Sequence, residues 1–147
     1  MNREIKFKIK VKLNSMGLEF YGKSSGFIES KIHEVDSISF WNDINLTIVD
    51  SSGKSVNTIF SSHCEVFELM QFTGLKDKNG MDIYEGDYIN YNNAISGEIK
   101  YNSQFCRFEI IHKEPRKVSQ LPFTAVDIYQ IEVIGNIHEN PELLDPR

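Results

Sequence analysis

A chain of 147 residues, 40% hydrophobic and 25% charged, is long enough for one ordinary domain or two small ones and too short for most nucleotide hydrolases. Its net charge of −5 argues against a sequence-independent grip on phosphate backbones, and no apolar run approaches the ~20 residues that span a bilayer. The start "MNREIKFKIKVKL" is broken by lysines and is no secretion signal, so the expected location is the cytoplasm, with no membrane partner.

The first strand carries the clearest pattern. Ile5, Phe7, Ile9, Val11 and Leu13 alternate with Lys6, Lys8, Lys10 and Lys12, which puts apolar side chains on one face and ammonium groups on the other. Two readings of the ammonium face stay open. On an edge strand, lysines keep the strand from pairing with foreign chains. As a stripe repeating every roughly 6.8 Å, at ~3.4 Å per residue, Lys6, Lys8, Lys10 and Lys12 follow the separation of successive phosphates and would contact an anionic partner. Tyr21 and Trp41 would add stacking if they share that face.

"GLEFYGKS", Gly17 to Ser24, fits the phosphate-loop pattern G-x-x-x-x-G-K-[ST]. Such a loop turns through small residues so that successive N–H groups face the anion and a helix opens behind them. Leu18, Glu19, Phe20 and Tyr21 are bulky and favour an extended strand. "LTIVD", Leu46 to Asp50, resembles a strand ending in a magnesium-binding aspartate, yet Asp50 runs into "SSGK", the turn of a hairpin to Val56–Phe60. A nucleotide-binding enzyme built on Gly17–Ser24 is therefore the least favoured reading.

Short strands are expected at "GLEFYG", "FIES", "ISFW", "NLTIVD" and "VNTIF", although Ile28–Ser37 also fits a short helix. Ser62–Glu65 matches a capping box, but the run after it stops at Thr73 and Gly74, so Glu65–Gln71 reads as strand. Asn79-Gly80 then marks a hairpin, because both residues tolerate positive φ. "DYINY", "GEIKY", "CRFEIIH" and "YQIEVIGNI" are extended, and "HKEPRKVSQLPF", with Pro115 and Pro122, reads as an exposed excursion. Asn140, Pro141 and Glu142 set one helical turn through Leu144.

No chemistry stands out. Cys64 and Cys106 read as two buried reduced thiols, and His33, His63, His112 and His138 are too scattered to form a zinc set. Asp77, Asn79 and Asp82 tempt as calcium ligands, but a calcium loop places its glycine sixth and this one arrives fourth. Asp82, Glu85 and Asp87 lie in what reads as an exposed turn, where nothing shifts a pKa towards acid–base work. No catalytic residue, metal or cofactor is expected.

Two long blocks, "LMQFTGLKDKNGMDIYEGDYI" from Leu69 to Ile89 and "EVIGNIHENPELL" from Glu132 to Leu144, resemble the YopX family of small proteins encoded in bacteriophages and prophages of Gram-positive bacteria. The opening "REIKFK" fits as well. The blocks cover about a quarter of the chain, and residues 14 to 64 carry no resemblance. The family motif falls on Thr73, Gly74, Leu75, Asp77, Asn79, Gly80, Tyr84, Glu85, Gly86, Asp87, Gly135, Asn136, Asn140 and Pro141. The resemblance implies a β-rich fold with an SH3-type barrel in its C-terminal part, a bacterial host cell, and no reaction. The residue types give this motif structural work: glycines at reversals, and Asp77 accepting backbone N–H groups across the Asn79-Gly80 turn. Leu75, Ile83, Ile89, Val133 and Ile137 are the expected core.

The expectation is thus an all-β, or mainly β, protein with short helical turns. Residues 1–68 form a β-rich lobe and residues 69–147 an SH3-like β-barrel. Its favoured role is a non-catalytic module that binds a phage or host protein or its own copies. Nucleic-acid binding through the lysine stripe comes second.

Overall fold

The computed structural model describes residues 6–41, 43–50, 52–114 and 117–144. Among them the chain is mainly β and divides into two units, Lys6–Met70 and the stretch from Gln71 onward.

Five strands build the first unit: β1 (Phe7–Leu13), β2 (His33–Trp41), β3 (Asp43–Val49), β4 (Ser55–Phe60) and the first part of β5 (Cys64–Lys76). Counted through β5 into β6 (Asp82–Tyr84), the hydrogen-bonded order is β4-β3-β2-β1-β5-β6. The in–out rhythm of β1 holds: Ile9, Val11 and Leu13 are buried. They join Ile28, Leu46, Ile48 and Ile59 in one core, against which Val35, Ile38, Phe67 and Leu69 pack. Removing such side chains from water stabilises by about 1.5–3 kcal/mol each. Because β1 lies between β2 and β5, its backbone is paired on both sides, and the edge-strand reading of its lysines is corrected.

The segment after β1 is helical, where strands were expected at "GLEFYG" and "FIES". α1 (Ser15–Tyr21) runs through a 3-10 turn (Gly22–Ser24) into α2 (Ser25–Ser30). The cause is local capping that overrides the β preference of the bulky residues. The Asn14 side chain accepts the Gly17 N–H at 2.9 Å, and Gly22, at φ 50°, donates its N–H to the Leu18 carbonyl. Gly17 also lets α1 lie against the chain at His63, since a Cβ there would stand 2.2 Å from the His63 carbonyl oxygen. The ambiguous Ile28–Ser37 divides: α2 ends at Ser30 and β2 starts at His33.

Two side chains tie these helices to the sheet. Glu29 accepts the Leu13 N–H at 2.8 Å. The Tyr21 hydroxyl donates to the Thr58 carbonyl at 3.1 Å and accepts the Phe60 N–H at 3.0 Å. His33, 1% exposed, brings Nε2 to the carbonyls of Phe27 and Ile28 at 3.1 and 3.0 Å, while its buried Nδ1 has no partner. The ring is therefore neutral with its proton on Nε2, where it caps the last turn of α2.

The second unit holds β7 (Asp87–Tyr91), β8 (Ile95–Asn102), β9 (Arg107–Glu114), β10 (Lys117–Pro122) and β11 (Ile131–Asn136), in the antiparallel order β10-β9-β8-β7-β11. Its core is Ile83, Ile89, Ile99, Phe108, Ile110 and Ile131, with Leu75 and Val133 packed against it. The stretch expected as an exposed excursion is largely β10, in register with β9 from Lys117↔Glu114 to Pro122↔Glu109; Pro115 lies outside the described residues.

No closed barrel forms among the described residues, which corrects the SH3-type barrel. The chain leaves β10 through 3-10 turns at Phe123–Ala125 and Ile128–Gln130, and β11 then pairs with β7, from Ile131↔Tyr91 to Asn136↔Asp87. β10 and β11 thus remain the two margins of an open sheet.

Two predictions follow from the helical segment. Gly17→Ala gains about 1 kcal/mol of helix propensity but forces a clash worth about 1–3 kcal/mol, so urea denaturation should show a net loss. Burial, aided by Lys31 and Lys10, holds the His33 pKa below its ordinary value against the pull of the two carbonyls. The unfolded chain therefore takes up a proton near its unperturbed pKa of about 6.5 while the folded chain resists. Stability should fall as pH drops below that point, and His33→Gln should flatten this slope in denaturation midpoints measured from pH 7 to 5.

Candidate polypeptide-binding groove

The lysine face of β1 meets acidic neighbours and a backbone carbonyl. Lys12 pairs with Glu65 on β5 at 2.8 Å, Lys8 stands opposite Glu34 on β2, and Lys10 donates to the Glu29 carbonyl at 3.2 Å. Lys6 and Lys8 also have interactions of their own. Tyr21 packs against the core with Ile9, Val11 and Leu13, the β1 side chains that alternate with the lysines. The side chain of Trp41 lies outside the described ones.

Gly17–Ser24 forms α1 and its 3-10 continuation, which is not the strand–loop–helix of a phosphate loop. Asp50 closes the β3–β4 turn, accepting from Ser52 N, Ser52 Oγ and Lys54 N at 2.8, 2.6 and 3.1 Å. The Ser52 hydroxyl, with those backbone donors, holds its pKa below the ordinary value.

The motif residues meet in two clusters of the second unit. In the first, Asp77 Oδ1 accepts the N–H groups of Asn79 and Met81 at 2.8 and 2.9 Å, and Oδ2 accepts that of Val133 at 3.0 Å. Burial opposes the charge on Asp77, but these three donors outweigh it and keep the pKa low. Gly80, at φ 82°, completes the turn. Thr73 Oγ1 donates to the Ile83 carbonyl and accepts the Leu75 N–H around Gly74, so a side chain bridges the irregularity between β5 and β6.

In the second cluster Asp87 accepts from Tyr84 N at 2.7 Å and from Asn136 Nδ2 at 2.9 Å. Asp87 is 7% exposed, so the expectation that this acidic turn lies in water is corrected for it. Gly86 donates its N–H to Ile99 and accepts from Ile137 N, and Glu85 accepts the Tyr101 N–H. Gly135 admits the C-terminal turn: a Cβ there would meet Leu143 and Asn140 at 2.6 and 2.7 Å. Asn140 Oδ1 accepts the Asn136 N–H just before Pro141 starts that turn.

Beside these clusters lies a groove of about 390 Å³, near the low end of the ~300–1,000 Å³ usual for ligand sites. Gln71, Thr73 and Leu75 form one wall, from alternate positions of β5. The β8–β9 hairpin forms the other, with Tyr101, Cys106, Arg107 and Phe108, and Phe123 and Thr124 close the end. Tyr101 meets Phe108 edge-on at 5.3 Å, and the Arg107 guanidinium lies over Phe105, 4.9 Å from the ring centre.

The hairpin is held rigid by polar groups. Asn102 Oδ1 accepts the Gln104 and Phe105 N–H groups at 3.0 and 3.3 Å, and Cys106 takes φ 51°. Glu109, 1% exposed, takes Asn102 Nδ2 on one oxygen at 2.8 Å and Arg107 Nε and Nη2 on the other at 2.8 and 2.7 Å. The Asn102 amide, and then Arg107, pull its pKa below the usual carboxylate value. The sequence reads "GEIKY" and "CRFEIIH" as extended, as they are in β8 and β9, but assigns the hairpin between them no site. The signal was a turn-forming Asn102-Ser103 between Tyr101, Phe105 and Phe108, aromatic residues beyond what a turn needs.

The structure also separates the two cysteines, which corrects their reading as a buried pair. Cys106 is exposed at the groove, while Cys64 is half-buried and donates to the Phe60 carbonyl. Burial pushes the Cys64 thiol up to about 11. Only the thiolate attacks electrophiles, so a maleimide at pH 8 should modify Cys106 at least about tenfold faster than Cys64, as peptide mapping by mass spectrometry will read. Equal rates would contradict the geometry.

Among the described residues no helix is long and apolar enough to cross a membrane. A family model described as "YopX protein" matches residues 28–145. No curated protein matches. Among solved structures the chain is similar to the crystal structure of protein EF1440 from Enterococcus faecalis, at 20% identity, covering 98% of this chain and 100% of that one, with a TM-score of 0.44.

Proposed function

Since the chain belongs to the YopX family, we propose that it is a non-catalytic module of phage or prophage origin that binds a polypeptide through the groove beside the β8–β9 hairpin. The observation that carries this reading is the wall chemistry. Tyr101, Arg107 and Phe108 in the wall, and Phe105 against the Arg107 guanidinium, are of the residue types that dominate binding energy at protein interfaces. Tyr101 and Phe105, 45% and 54% exposed, stand ready in a rigid hairpin, so little ordering is needed on association. The acidic residues elsewhere in this unit have structural duties: Asp77 and Asp87 hold backbone N–H groups, and Asp82 pairs with Lys76 at 2.5 Å.

Nucleic-acid binding is the weaker reading, because Lys12 is paired with Glu65, Lys10 is engaged by the Glu29 carbonyl and Lys8 stands opposite Glu34. A phage or host protein and a second copy of the chain both fit as partners.

A pull-down with the full chain from infected or lysogenic cells, run with and without nuclease, tests the reading. The captured protein should survive nuclease, disappear with the Tyr101→Ala, Phe105→Ala double variant, and persist with Lys8→Glu, Lys10→Glu. Loss on nuclease treatment, or loss only with the lysine variant, would replace it with the nucleic-acid reading.

A further inference from the structure

Among the described residues that line the groove one, Arg107, is charged, and its surroundings say what it can recognise. Arg107 gives Nε–H and one Nη2–H to the same oxygen of Glu109. A guanidinium has five N–H donors, so this arrangement leaves three, on a side chain 42% exposed at the groove wall. Glu109 is itself out of water, at 1% exposure, and its second oxygen is taken by Asn102. The carboxylate therefore fixes Arg107 instead of competing for its outer edge. Phe105 supports the guanidinium plane from one side at 4.9 Å. An arginine locked at two donors and one face is already ordered, and it meets a second carboxylate with little loss of freedom. Among the described residues no acidic side chain lines the groove to satisfy those donors from within.

Beside Arg107 the lining combines Leu75, Tyr101, Phe108 and Phe123 with the smaller or polar Gln71, Thr73, Cys106 and Thr124. Leu75, Phe108 and Phe123 belong to the packed core or rest on it, so the floor is firm, and Tyr101 stands over Phe108. Gln71 and Thr124 add side-chain hydrogen-bonding groups to walls otherwise suited to an apolar insert.

We propose that the groove takes an extended peptide segment carrying a bulky apolar side chain and, two residues away, an acidic one. The apolar side chain fills the space between Tyr101, Phe108 and Phe123, and the carboxylate meets the outer edge of Arg107. The spacing follows from the strand period, which brings residues i and i+2 to the same side of an extended chain. This specifies the partner chemistry of the polypeptide-binding reading and rests on it.

A displayed library of random twelve-residue peptides, selected on the full wild-type chain, tests the proposal. The expected consensus pairs an aromatic or branched apolar residue with Asp or Glu at the i+2 position. For the best peptide, Arg107→Gln should weaken binding about tenfold, and so should changing the peptide acid to its amide. The two changes together should cost little more than either alone, which a merely structural role for Arg107 would not produce. Arg107→Gln keeps a donor for Glu109, and its melting temperature is checked alongside. A consensus without acid, or additive losses, overturns the acidic-partner proposal while leaving a peptide-binding groove in place. If coupling a bulky maleimide to Cys106 releases none of the selected peptides, both the proposal and the groove reading fall.

Discussion

Asp77 is the constraint on which the second unit depends. Its carboxylate holds three backbone N–H groups, two across the Asn79-Gly80 turn and one on β11, fifty-six positions further along the chain. A neutral side chain of that length offers one strong acceptor, and hydrogen bonds to an ionised acceptor are roughly twice as strong as neutral ones. The bond to Val133, with the Lys78 N–H on the Ile131 carbonyl, also occupies a margin of the sheet that would otherwise present unpaired groups. Register, turn and margin are thus set by one residue.

Glu109 solves a similar problem on β9 of the same sheet. There the buried carboxylate gathers Asn102 and Arg107, so the hairpin that presents Tyr101 and Phe105 is stiffened from below. In both places a negative charge does architectural work through hydrogen bonds. The acidic composition of the chain is therefore a poor guide to what its surface attracts.

The strand rhythm and turn chemistry of the sequence were legible because both are local. The alternation of Ile9, Val11 and Leu13 with lysines, the Asn79-Gly80 reversal and the Asp50 turn depend on side chains within a few residues of one another. The family blocks from Leu69 and from Glu132 were readable for the same reason. The helix over "SMGLEFY" is capped by Asn14 and Gly22, but its aromatic content reads as strand, and its close seat against the distant His63 carbonyl, which only a bare Gly17 allows, leaves no local signal. The open sheet was harder to see, since whether β10 meets β11 depends on the path through Phe123–Gln130, which lacks a strand pattern. The groove was hidden longest: Gln71, Arg107 and Thr124 come together only after β5, β9 and the turn beyond β10 are in place.

The hydroxyl of Tyr21 carries a last consequence. It sits between the Thr58 carbonyl and the Phe60 amide, on the outer strand of the first unit, in the position an incoming chain would occupy if it lengthened that sheet. A single phenol oxygen acts there as a doorstop: a chain approaching that edge would have to displace it before pairing with Thr58 and Phe60.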